Sequence, residues 1–183
     1  MEEEIKKNLL RSGEYFIYSI WIQGQLSDLI ILNRNKNIIN DFVYNKEKIP
    51  LIFKEERIKF WEKDFREVKE AFENEFKDML TDQVKADLDT IFYIRNAIAH
   101  SHVSIARPYL FYRAGIPKIE EKFRKSLDIL NKDNSNLNTP SVFKLDFSND
   151  EIYFHNFDAL KRLDEDFLEK ICSHLNVPHE RIR

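Results

Sequence analysis

The chain has 183 residues and a formal net charge of −3, enough length for one domain with its own core. Three Gly and five Pro are too few for a turn-rich sandwich and favour long helices. The charge balance argues against a broad basic face, so any RNA contact has to be local. Fifteen Phe, seven Tyr and two Trp supply bulky core material. Cys172 is the lone cysteine, which fits a reducing, cytoplasmic setting. The opening Met1-Glu2-Glu3-Glu4 has the wrong charge for a secretion signal.

In chain order, Glu2 to about Arg11 reads as a charged amphipathic lead-in that Ser12-Gly13 breaks. Glu14 to Leu32 is the most apolar helix. Tyr15, Tyr18, Ile22, Leu26 and Leu29 share one face, and Phe16, Ile20 and Ile30 cover another. A helix apolar on more than one side is central, or is shared with a second protomer. Gln23, Gln25 and Asp28 interrupt it, so it reads as a buried helix and not as a membrane span. Gly24 suits a close helix crossing. Residues 33–50 read as a loop with a short helical piece. There Arg34, Lys36, Lys46 and Lys48 either touch phosphates or are simply solvated.

Lys54 to Leu80 is expected to be one helix, with Ile58, Trp61, Phe65, Val68, Phe72, Phe76 and Met79 facing inward. Glu55/Lys59, Glu62/Arg66 and Glu73/Lys77 are spaced as helix-stabilising pairs. A short turn near Leu80-Thr81 joins it to the next helix as an antiparallel hairpin. Thr81 or Asp82 caps that helix, whose Val84, Leu88, Ile91, Ile94 and Ile98 form one apolar face. Arg95 projects onto the same face, where a guanidinium needs a carboxylate, a phosphate or water. Asn96 and His100 are four apart and stack elsewhere, and His100 lies about 140° round from Arg95 on an ideal helix. One helix therefore does not join Arg95 to His100 directly. The arginine reaches round, the helix distorts near Ala99, or a second copy supplies the missing group.

Beyond His102, the stretch Val103 to Gly115 interleaves basic and aromatic residues: Arg107, Tyr109, Tyr112 and Arg113, with Pro108 interrupting. That mixture suits RNA, with Arg for phosphates and Tyr for bases, and equally suits a partly buried connecting helix. Pro117 opens a further helix with Ile119, Phe123, Leu127 and Leu130 inward, and Asn131 to Ser141 is a loop. The period then changes. Phe143, Leu145 and Phe147 alternate with polar residues, as do Ile152 and Phe154, and Asn149-Asp150 between them reads as a hairpin turn. Asp158 to Leu175 is a last helix, and Pro178 ends the regular structure. His174 and His179 point to nothing sharper than surface. The expected fold is mainly α: an antiparallel helical bundle over residues 1–131, with a small β-hairpin and a final helix over 132–183 packed on the same domain.

The series Arg95-Asn96-x-x-x-His100 resembles the signature of the HEPN superfamily, an Arg followed by a polar residue and then a His. The resemblance covers the helical body, roughly residues 1–131. It implies an all-helical, usually dimeric protein found in RNA cleavage, toxin–antitoxin pairs and phage defence. Its ribonucleases use no metal and no cofactor, and the motifs of two protomers meet in one composite site. In one subgroup a Tyr two residues after the His is modified by a partner nucleotidyltransferase; here that position is His102. The hairpin is an addition to the minimal pattern.

RNA carries its own nucleophile, the 2′-hydroxyl. The resemblance casts His100 as base or acid and Arg95 as the group that stabilises charge on the phosphate. Asn96 orients the imidazole or binds phosphate, and His102 is secondary. Two other readings stay open: a non-catalytic HEPN-like module that binds a nucleotide, an antitoxin or a nucleotidyltransferase, and a helical structural protein in which the motif is chance. No Gly-rich phosphate loop, Cys-x-x-Cys or Gly-x-Ser-x-Gly occurs. His100-x-His102 lacks companions at metal spacing.

Overall fold

A computed structural model describes residues 2–45, 48–103, 107–113, 120, 123, 142–179 and 181. The chain is mainly helical, with a small three-stranded antiparallel sheet. In order come α1 (Glu2–Arg34), a 3₁₀ turn (Lys36–Ile38), α2 (Ile39–Tyr44), α3 (Leu51–Trp61), α4 (Phe65–Glu75) and α5 (Asp82–Ala99). Then follow β1 (His102–Val103), β2 (Leu110–Arg113), β3 (Val142–Leu145), α6 (Asp150–Lys161), a π-helical segment (Arg162–Leu168) and α7 (Glu169–Leu175). Lys46, the loop expected over 131–141 and most of the helix expected from Pro117 lie outside the described residues. The chain divides into two units: Met1–Ser19 with Ala86–Leu160, and Ile20–Lys85 with Lys161–Arg183. Among the described residues, no helix is long and apolar enough to cross a membrane.

In the first unit the start of α1 clasps the segment that leads into α6. Asn8, buried, accepts from the Phe147 backbone N–H (2.7 Å) and donates to the Leu145 carbonyl (3.5 Å). Arg11 donates to the Phe147 carbonyl and, with Lys7, pairs with Asp150 at 2.7 Å. Tyr15 stacks on Phe147, and the Tyr153 hydroxyl donates to Glu14. Ser12-Gly13 does not break the helix as expected. Ser12 is buried and donates to Asn8 one turn back, so its hydroxyl is satisfied inside the helix.

The expected hairpin is corrected. Val142–Leu145 is a strand, but its partner is β2, in the register Leu110↔Leu145 and Tyr112↔Phe143. Ile152 and Phe154 lie in α6. The Asn149-Asp150 pair is a helix start: the Asn149 side chain accepts from the Ile152 N–H (3.2 Å), and Asp150 and Glu151 sit in the positive first turn. After His102, Val103 and Leu110–Arg113 are likewise strand and not connecting helix. Leu110, Phe143, Leu145 and Phe123 are buried beneath it.

In the second unit the aromatic stripe holds for Phe65, Val68, Phe72 and Phe76, all buried. It fails for Ile58 and Trp61, which are 52% and 74% exposed, while Phe53 and Phe60 turn inward. The single helix expected over 54–80 is two. Asp64 starts a new one with a reciprocal cap: its carboxylate accepts from the Glu67 N–H, and Glu67 accepts from the Asp64 N–H. The break separates Glu62 from Arg66, and Glu73 pairs with Lys69 at 2.8 Å. At the far end, Asn176 turns left-handed (φ 56°) and the Val177 N–H reaches back to Cys172, reversing the chain. His179, expected at the surface, is then buried against Asp164 at 3.2 Å. Asp164 also accepts from Gln25 at 3.0 Å. Cys172 is buried nearby.

Asp28 gives this unit a pH dependence. Burial pushes its carboxyl from 3.8 up to about 6, although Arg57 at 3.2 Å pulls the other way. A carboxyl raised in the folded state favours folding while protonated, and that advantage is lost as pH climbs through the folded value. Stability should therefore fall by about 1–3 kcal/mol between pH 4 and 7 through this group, discounted for its partial exposure. In urea unfolding, Asp28→Asn should flatten that decline. An unchanged slope would exclude Asp28 as its source.

Candidate functional site

The motif occupies the last turn and a half of α5. The Thr81 hydroxyl caps this helix by accepting from the Val84 N–H at 3.2 Å. Leu88, Ile91, Ile94 and Ala97 anchor the motif-bearing part in the core of the first unit, with Ile98 half-buried. The register is thus fixed by packing, and Arg95 and Asn96 fall at the half-buried margin.

Arg95 Nη1 donates to Asn96 Oδ1 at 3.0 Å. Its Cζ lies 5.6 Å from the Phe16 ring centroid, a cation–π distance. Its Nε is buried without a hydrogen bond. Among the described residues, no carboxylate pairs with Arg95. The guanidinium is therefore held by an amide and a ring, with its charge uncompensated there. Asn96 turns its side-chain oxygen to Arg95, away from the expected role of orienting the imidazole.

His100 is exposed in the turn that ends α5, its N–H bonded to the Asn96 carbonyl at 3.0 Å. Its imidazole makes no hydrogen bond to a described residue. Ser101 seals the helix end, its hydroxyl donating to the Ile98 carbonyl at 2.9 Å. The structure thus joins Arg95 to Asn96 and leaves His100 open.

His102 begins β1, opposite Phe111, and is exposed. Arg107 and Arg113 are exposed, and Tyr109 is half-buried. Tyr112 belongs to packing: its ring lies 5.0 Å from Phe123 and 6.4 Å from Phe143, and burial raises its hydroxyl pKa. The reading of residues missed Phe16, whose spacing on α1 marks only an apolar face, and Phe111, adjacent to Tyr112 and on the opposite side of the strand. Among the described residues, no three His, Cys, Asp or Glu side chains gather as a metal site would require. Comparison of the chain with protein-family models, with curated proteins and with solved structures finds no match.

Proposed function

We propose that this protein is a metal-independent endoribonuclease of HEPN type, built on a helical bundle and active as a homodimer. Arg95, Asn96 and His100 of two copies would form one composite site. One observation carries this reading: Arg95 is positioned by Asn96 and Phe16 with no described carboxylate to neutralise it, one turn before an open His100. A half-buried guanidinium with no carboxylate partner among the described residues suits a phosphate that arrives from outside. Histidine takes the 2′-hydroxyl proton as the oxygen attacks phosphorus, and a second histidine, from the other copy, protonates the departing 5′-oxygen. Arg95 holds the non-bridging oxygens as their charge grows. A cytoplasmic place in defence or toxin–antitoxin biology belongs to the same reading.

The second copy has a surface to use. Leu10 and Ile17 of α1 are 65% and 62% exposed, with Gly13 open between them. Phe16, beside Ile17, carries Arg95. Such a row can pair with its own copy about a two-fold axis. Ile17→Asp should convert a dimer to monomers and weaken association by about 30-fold or more, with cleavage falling in parallel. Light scattering reads the mass; a monomeric wild type, or a variant that stays dimeric, defeats this interface.

The direct test is cleavage of mixed RNA in excess chelator. Products ending in 2′,3′-cyclic phosphate and 5′-hydroxyl are expected. Cleavage that requires added divalent metal would overturn the mechanism. A second reading, a non-catalytic HEPN-like binding module, draws on one fact: within one copy Asn96 engages Arg95 and leaves the imidazole unsupported. Binding without cleavage would select it.

A further inference from the structure

The three-stranded sheet has two unlike faces. Leu110, Phe143 and Leu145 are buried on one, with Tyr112 packed on Phe123. Strand alternation puts Phe111, Arg113, Val142 and Lys144 on the other. The register sets His102 opposite Phe111 and Phe111 opposite Lys144, so a ring lies between two nitrogenous side chains. Tyr109 joins that face: its ring meets Phe111 edge-on at 5.0 Å, and Lys144 Nζ stands 4.2 Å from its centroid. Arg113 shares that face and is exposed, and Arg107, also exposed, precedes Tyr109 by two residues.

The charge here differs from that of the whole chain, which is net negative. Arg107, Arg113 and Lys144 are cations, His102 is titratable, and one described carboxylate approaches: Asp146, 3.2 Å from Lys144 Nζ. Asp146 is also held by the Ser148 hydroxyl and sits at the strand end. Half-buried rings ringed by cations match the needs of unstacked nucleotides, whose bases stack on aromatic faces while their phosphates meet Arg and Lys. A lipid headgroup would use the cations alone, whereas two half-buried rings at right angles also offer faces on which unstacked bases pack. His100 precedes His102 by two residues, so at most about 7 Å of chain separates them.

We propose that the outer face of this sheet is a docking platform for single-stranded RNA. Phe111 and Tyr109 receive bases, and Arg107, Arg113 and Lys144 receive the phosphates of nucleotides flanking the scissile bond. The choice of RNA over other single strands rests on the ribonuclease reading, while the platform has its own readout.

The test is fluorescence anisotropy of a labelled ten-nucleotide oligouridine in chelator, with His100→Ala as background so that the strand stays intact. Phe111→Ala should weaken binding by about 5- to 150-fold. Phe111→Trp, which keeps a stacking face, should restore most of the affinity that Phe111→Ala loses, and melting curves of both variants control for folding. Arg113→Gln should lower the salt dependence of log affinity by about one phosphate contact. A duplex of the same length should bind more weakly than the single strand. Equal affinity of the Phe111→Ala variant, no binding of oligouridine, or tighter duplex binding would overturn the platform. RNA cleavage with Phe111-independent binding defeats the platform and spares the nuclease. Phe111-dependent binding with no cleavage by the wild type supports the platform and defeats the nuclease.

Discussion

Replacing His100 with Ala is expected to lower RNA cleavage in excess chelator by about 10²- to 10⁴-fold. The melting temperature should stay where it is, because the imidazole is exposed and makes no hydrogen bond to a described residue. Arg95→Ala should cost about 10²- to 10³-fold, the range for one donor to a developing anion. It also removes the contacts with Asn96 and Phe16, so a modest loss of stability accompanies it. Arg95→Lys separates charge from geometry. It keeps a cation but loses the fork that can hold Asn96 and a phosphate together, so most activity should still be lost. Initial rates on a short single-stranded substrate give these numbers. A His100→Ala variant that cleaves at the wild-type rate would remove the histidine from the chemistry and assign the activity to a contaminant.

The second large effect concerns stability. Asp164→Ala should destabilise the second unit by about 3 kcal/mol or more. Asp164 is wholly buried, accepts from Gln25, and lies at ion-pair distance from His179. Removing the carboxylate takes the acceptor from the half-buried Gln25 amide and the charged neighbour from the His179 side chain, whose ring nitrogens are buried. Asp164→Asn keeps one acceptor and should cost less. His179→Ala should cost less again, because Asp164 retains Gln25. Urea midpoints for the three variants should fall in that order, and an Asp164→Ala midpoint within error of wild type would show the cluster contributes nothing.

Much of the architecture was readable where the determinants are local. Thr81 as a cap, and the apolar rows through Leu88 to Ile94 and Phe65 to Phe76, depend on residues within a few turns of each other. The errors share one cause: a short motif carried two meanings, and distant contacts chose between them. Asn149-Asp150 serves a hairpin turn or a helix start equally well, and Asn8 and Arg11, far away in sequence, fix the chain before it. Asp64-x-x-Glu67 was a visible cap signal, overridden by an aromatic period that ran across it. His179 was illegible because its burial needs a left-handed Asn176 and a π-helical Asp164 together.

At the site, helix geometry predicts that Arg95 and His100 do not meet directly within one helix, and among the described residues no hydrogen bond joins them. The capture of Asn96 by Arg95 was not legible in this way, since neighbours one apart seldom meet on a helix. The sheet parity that separates Phe111 and Tyr109 from Tyr112 needed the pairing with Val142–Leu145, a strand about thirty residues further on.

Cys172 turns its burial into an experimental handle. Loss of solvation, reinforced by Asp164 and Glu169, holds its thiol at about 11, so almost no thiolate exists at neutral pH in the folded chain. A maleimide or disulfide reagent then modifies the protein only as fast as the C-terminal helix lets go. Because the sequence has a single cysteine, the labelling rate is an intrinsic clock for that opening, free of any introduced probe. Run across denaturant, it tells a local release of this helix from global unfolding by whether the rate tracks the full surface exposed or only a part of it.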